Sequence, residues 1–332
     1  MLTRVQLNLL GRRSYLSSVV ALATGTQQAT INLENNDDDN LDQAYGSDFD
    51  INRKYLTFSW WLLNKGWDQI MGRVDSAVRT VFGTLSPRDL ISFERISELT
   101  IEVRKLVEGA TPEERRGMNW LQFLLPPQNL ESQVLQQSGV LGDQLDKAGE
   151  PRPTSPALRR LLDETADLIE SPAFSHVLTL ILDAGFSALV DQELSREAFD
   201  LPVLNSNSNS TFPAPEIQDL RQTRVVQLPK VLSVLTRQAH AIGNGMPNMY
   251  LQEMEKSRDL EAFAAVVYSS NWENEIRDDG LAEAVAVGNS IEGTNRGSPR
   301  DEPLDLGEQS MVIVDAPDQF NGAWERATGK SS

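Results

Sequence analysis

The 332-residue chain contains no cysteine. That absence removes disulfides, thiolate metal sites and a cysteine nucleophile together, and it fits a reducing compartment. Histidine occurs only at His176 and His240, so neither the paired-histidine spacing of a zinc protease nor a zinc finger can be built. A glycine-rich phosphate loop, a strand–helix alternation and sequence repeats are also missing. Gly243-Asn244-Gly245 lacks the third glycine and the preceding strand of a dinucleotide loop.

Basic charge is scarce too, with 30 Lys and Arg against 48 Asp and Glu, a net charge of −18. The excess acid is local. Residues 34–50 hold seven acidic residues and no Lys or Arg, and residues 271–332 hold thirteen acidic against five basic. These two stretches carry −15 of the −18, so the low pI describes solvating segments rather than a charged face on a core. The same distribution argues against nucleic acid as a partner.

What is present is helical pattern. Ser155-Pro156 and Ser171-Pro172 each put a capping hydroxyl ahead of a proline at the first helical position. Leu161, Leu162, Leu168 and Ile169 share one face of the first helix. The second, through Phe174, Val177, Ile181, Phe186 and Val190, is apolar around most of its circumference and reads as the buried helix of a bundle. Its length and Asp183 make it fall short of a membrane span. Further helices are expected over about 51–82, from Ser86-Pro87 to about Glu108, after the capping box Thr111-Pro112-Glu113-Glu114, from near Val226 to a C-cap at Gly243–Gly245, and over Tyr250–Met254 and Leu260–Tyr268. Residues 25–50 and 203–222 read as flexible polar loops, Asp143–Thr154 as a connector, and Met311–Val314 as an isolated strand-like run. Met1–Thr24 is apolar and acid-poor with Arg4, Arg12 and Arg13, which is also the composition of a mitochondrial presequence. The expected architecture is all-α: a single elongated helical bundle over 1–273 with a disordered acidic loop, followed by a disordered acidic tail over 274–332.

Chemistry-bearing residues are few. His176 reads as a partnered histidine of an apolar helix and His240 as a surface or capping residue. Asp163/Glu164 and Asp278/Asp279 read as solvated pairs rather than cation ligands, and the sequon Asn209-Ser210-Thr211 as a chance match. No catalytic residue, cofactor site or metal site is assigned. Trp60, Trp61 and Trp67 suit either core packing, the preferred reading, or a groove for a partner helix. Lys230 stands out: it follows Pro229 at the start of a helix, where a lysine opposes the helix dipole.

The run LLDETADLIESPAFSHVL followed by GFSALVD resembles the C-terminal half of the peroxisomal biogenesis factor 3 (peroxin 3) family, fungal type. LTRVQLNLLGRRSYL, LPKVLSVLTRQAH and DLEAFAAVVYSSNWE agree with the same family in the same order, so the resemblance spans most of residues 2–273. It implies a non-enzymatic docking protein on the cytosolic face of the peroxisomal membrane. Such a protein receives peroxin 19, the carrier of peroxisomal membrane proteins, by seating an amphipathic helix in an apolar groove. It further implies that Lys230 lies at the rim of that groove with Leu228 and Pro229 as neighbours. Family members begin with a membrane anchor and a long helix whose tryptophan anchors the partner, and the RVQLN region comes only after these. Here Met1 stands immediately before that region, so the anchor and that tryptophan are expected to be missing and an apolar strip to be exposed. Two other readings compete: an α-helical mitochondrial or cytosolic protein of unknown function, enzymatic or not, and a tether joining peroxisomes to autophagy or inheritance factors.

Overall fold

The computed structural model describes residues 1–23, 46–140, 155–201 and 220–270. Most of the acidic loop, the connector, the Asn/Ser tract with its sequon, and the tail with Asp278/Asp279 and Met311–Val314 lie outside the described residues. The longer elements are α1 (Leu2–Ala23), α2 (Gly46–Thr57), α3 (Trp67–Phe82), β1 (Leu90–Ser92), α4 (Phe93–Glu108), α5 (Pro156–Glu170), α6 (Pro172–Ser187), β2 (Val225–Gln227), α7 (Leu228–Asn244), α8 (Met249–Glu255) and α9 (Arg258–Ser269). Among the described residues the fold is all-α, as the sequence implied, with one two-stranded ribbon. These residues form two compact units.

The first unit draws on Met1–Ser59, Asn129–Ser171 and the described part of Ala262–Ser332. Its core is apolar: Val5 and Leu9 of α1, Tyr55 of α2, Phe58 just after it, Leu158, Leu161 and Ile169 of α5, and Phe263 and Val267 of α9 are all buried. Helix α5 begins as its sequence dictates, the Ser155 hydroxyl accepting the Leu158 N–H at 3.3 Å with Pro156 in the first turn. At its other end the Ser171 hydroxyl donates to the Leu168 carbonyl at 2.7 Å. Charged groups also lie inside this unit. Arg12 is fully buried and donates to the carbonyls of Val267 (3.3 Å) and Ser270 (2.6 Å) and to Glu164 Oε2 at 2.6 Å. Arg13 is buried as well. Two of the three arginines of helix α1, Arg12 and Arg13, therefore serve the interior.

The second unit comprises Trp60–Gln128 and Pro172–Glu261. The helical run expected over 51–82 is largely present: α2 ends at Thr57, a turn at Phe58 interrupts it, and from Ser59 the chain stays helical through a π turn at Leu62–Gly66 into α3. Gly66 is required there, because a Cβ would lie 1.9 Å from the Phe123 carbonyl oxygen. The expectation at Ser86-Pro87 also needs correction. Ser86–Asp89 is a turn closed by the Ser86 N–H on Asp89 Oδ2 at 2.7 Å. The next three residues pair antiparallel with β2, Leu90 opposite Gln227, Ile91 opposite Val226 and Ser92 opposite Val225. β-Branched side chains favour this extended pairing, and Ile91 is buried. Helix α4 then starts from Ser92, whose hydroxyl accepts the Arg95 N–H at 3.2 Å.

Helix α6 continues through a π turn, Ala188–Leu194, so the run Pro172–Glu197 spans 26 residues and is long and apolar enough to cross a membrane by length and composition. That corrects the shorter sequence estimate. Phe174, Val177 and Ala188 are buried in the unit, α6 packs on α8, and Asp183 is paired to Arg104 at 2.7 Å, so the run serves as a core helix. The apolar centre of the unit is Ile91, Phe93, Ile96, Leu99, Val190, Leu194, Phe199, Val231 and Val234. Phe93 and Phe199 meet edge to face at 5.6 Å.

Candidate functional site

Helix α7 is amphipathic in the literal sense. Leu228, Val231, Val234 and Gln238 point into the unit, while Pro229, Lys230, Leu232, Ser233 and Thr236 point out. Its first turn is fixed by the ribbon, since β2 runs directly into it and the Leu228 N–H donates to the Asp89 carbonyl at 3.2 Å. Of the three residues singled out from the sequence, Leu228 is thus part of the core, and Pro229 and Lys230 form the surface above it.

Lys230 is half exposed and its Nζ lies 3.6 Å from Asp200 Oδ2. Asp200 sits at a left-handed φ of 48°, a conformation that Asp tolerates better than most residues. It is clamped by Arg224, whose guanidinium donates to the Asp200 carbonyl at 2.9 Å and to its carboxylate at 3.0 Å. One carboxylate is therefore shared by two cations at the start of α7. The groups are solvent-exposed, so the pairs add little stability. The three groups together carry one net positive charge. The dipole penalty noted for Lys230 in the sequence is offset by Asp200, a partner thirty residues away in the chain that no local pattern could reveal.

Beside this rim the ribbon has a wet face. Side chains alternate across a strand, so Ile91 and Val226 lie on one face while Leu90, Ser92, Val225 and Gln227 share the other. Leu90 and Val225, diagonal on that outer face, are exposed, as is Leu232 on α7. Sequence reasoning missed Leu90 and Val225 because the Leu90 segment was read as helix. The apolar pairs Leu90-Ile91 and Val225-Val226 are the signal in the sequence.

The α7 foundation is polar and buried. The Tyr250 hydroxyl donates to Gln238 Oε1 at 2.7 Å, and Gln238 Nε2 donates to Glu193 and Glu197 at 3.2 Å each. Burial, with Glu193 and Glu197 nearby, pushes the Tyr250 phenol up to about 12. The Glu197 carboxyl is held below its usual value chiefly by the hydrogen bond from Arg237.

The remaining candidates are placed elsewhere. Trp61 is buried and its indole N–H donates to the Gln122 carbonyl at 3.0 Å, as core packing requires, whereas Trp67 is exposed. Glu164 is engaged by Arg12, and Asp163 by Arg159 at 2.8 Å. His176 is half-buried and His240 exposed. Among the described residues no group of three His, Cys, Asp or Glu side chains is disposed to hold a metal ion.

Comparison with known proteins gives a family model, Peroxin-3, that matches residues 1–270. Similar relatives include peroxisomal biogenesis factor 3 of Yarrowia lipolytica, 36% identical over 289 residues, covering 81% of this chain and 63% of the relative. Peroxisomal membrane protein PEX3 of Komagataella phaffii is 26% identical over 298 residues, with 80% and 62% covered. Human peroxisomal biogenesis factor 3 is 27% identical over 283 residues, with 81% and 64% covered. The chain thus spans less than two thirds of the length of these relatives.

Proposed function

Because this chain belongs to the peroxin-3 family, we propose that it acts in peroxisome biogenesis as a non-enzymatic docking factor at the cytosolic face of the peroxisomal membrane. It receives the carrier peroxin 19 by seating an amphipathic helix of that protein. The observation that carries this reading is the juxtaposition at the start of α7. A half-exposed Lys230 shares Asp200 with Arg224, next to a ribbon whose outer face shows Leu90 and Val225.

The chemistry suits an amphipathic helix. Such a helix buries its apolar face on exposed apolar side chains and is oriented by charge at the rim. Lys230 and Arg224 together exceed the charge of Asp200, so the rim favours an acidic residue on the incoming helix. Pro229 and Leu232 extend the apolar surface one turn along α7, and Leu228 holds that turn from beneath.

The test is affinity. A labelled N-terminal helix of peroxin 19 is titrated against the protein and against Lys230→Glu, which reverses the rim charge without touching the core. Binding should weaken by about tenfold or more, the usual scale for truncating or reversing a central interface residue. Equal affinities for the two proteins would remove Lys230 from the site.

A further inference from the structure

The carboxylate beside the first turn of α7 is fixed from behind. Phe199 and Leu201, the chain neighbours of Asp200, are buried, and the Leu201 N–H donates to the Ser195 carbonyl at 3.0 Å. The same segment is fastened to α7 two turns beyond Lys230, where Glu197 accepts from Arg237 at 2.6 Å and from Gln238 Nε2 at 3.2 Å. Arg224 adds its own grip, donating to the Asp200 carbonyl at 2.9 Å and to Oδ2 at 3.0 Å. Asp200 is therefore unable to follow a neighbour that moves. It also stands at φ 48°, a left-handed conformation that glycine would adopt without strain, so the carboxylate is kept here against a backbone penalty.

Lys230 is the loose member of the trio. Its Nζ lies 3.6 Å from Asp200 Oδ2, beyond the roughly 2.7–2.9 Å of a charge-assisted hydrogen bond, whereas Arg224 reaches the same oxygen at 3.0 Å. Both members of the lysine pair are solvent-exposed, so their attraction is screened and easily exchanged for another. The flexible four-carbon stem lets the ammonium swing while α7 stays in place.

A docked helix changes the balance among these groups. At the docking surface proposed around Lys230, an acidic residue of the incoming helix meets two cations and one carboxylate, a single net positive charge. Asp200 already holds the place against Lys230 that the incoming acid would take. Two carboxylates crowding one ammonium repel each other. The anchored one stays with Arg224, and Lys230 turns to the newcomer.

We propose that Asp200 is an internal stand-in for the acidic residue of the docking helix, holding Lys230 in the free protein and yielding it when the helix arrives. Asp200 is thus an affinity-setting residue of the surface: it competes with the partner, weakens docking and speeds release. The inference rests on the placement of the docking surface at Lys230. It adds a residue whose removal strengthens binding, the opposite of what contact residues do.

The test is a double-mutant cycle on the full 332-residue chain, read by the anisotropy of a labelled N-terminal helix of peroxin 19 at low and high salt. The proteins compared are the unaltered chain, Asp200→Asn, Lys230→Met and the two changes together. Asp200→Gly, which suits the left-handed backbone, is a second way of removing the carboxylate. Both Asp200 variants should bind about two- to fivefold tighter at low salt, the scale of an exposed ion pair, and the gain should shrink at high salt. With Lys230→Met also present, most of that gain should disappear. Unchanged or weaker binding by both Asp200 variants overturns the proposal. So does a gain of the same size without Lys230, which would make Asp200 a source of general repulsion and not the partner of the lysine. Lys230→Met alone separates this inference from the reading beneath it. If that variant binds more weakly while the Asp200 variants do not tighten, the docking surface stands and the stand-in falls. If it binds as well as the unaltered chain, the surface is misplaced and both fall.

Discussion

Arg12 shows how far one residue can be read from sequence. Its place in an acid-poor, apolar stretch is visible, a composition that suits a presequence as well as an interior helix. The structure turns it inward, with Nη1 donating to two carbonyls at the end of α9 and Nη2 to Glu164. Removing one member of a buried ion pair leaves the other charge uncompensated, which costs about 3–5 kcal/mol. Arg12→Met should therefore lower the stability of the first unit by an amount in that range, seen as a fall in the denaturant midpoint of a signal from that unit. A change under about 1 kcal/mol, the size of an exposed pair, would contradict the account. Tyr250 makes a second, pH-dependent prediction. Its phenol ionises in the folded protein near 12 instead of the ordinary value of 10. A raised folded value means that the unfolded chain loses its proton first, so this contribution is complete below pH 10 and is lost as pH rises through about 12. The midpoint difference between the protein and Tyr250→Phe should be constant up to pH 10 and shrink above it.

Elements were legible where capping residues and periodicity agreed. Ser155-Pro156 and Thr111-Pro112 start helices as their sequences require, the Thr111 hydroxyl accepting the Glu114 N–H at 3.2 Å. The Gly243–Gly245 stop also holds, α7 ending at Asn244, with Gly245 needed because a Cβ would meet the Ala241 carbonyl oxygen at 2.4 Å. The failures have tertiary causes. The π turn in the 51–82 run lies where Phe123 comes close to Gly66, and the ribbon pairs residues more than a hundred positions apart. Neither leaves a periodic signal in its own segment. The misread helix start gives a direct check. If Ser92 is the cap of α4, Ser92→Ala should cost about 1 kcal/mol, whereas Ser86→Ala, which leaves the Asp89 carboxylate to close the turn, should be nearly neutral in the same thermal melt.

For the whole molecule, the family was readable because four stretches agreed in order over most of 270 residues, and the matching family model covers that span. The candidate site was readable only in part. Lys230 could be singled out, but the partners that give its surroundings a sign, Asp200 and Arg224, and the outer ribbon face with Leu90 and Val225 required the fold. The overall charge of −18 says little about this surface, where Lys230 and Arg224 share one carboxylate, Asp200. The central claim is that the carrier helix lies across the start of α7. Its most direct measurement is site-specific photo-crosslinking in the full chain, with a photoreactive residue placed at Lys230 and, as a control, at the exposed Lys256. The account predicts a covalent product with the peroxin 19 helix from position 230 and none above background from position 256. A product of equal yield from both, or from position 256 alone, would contradict it.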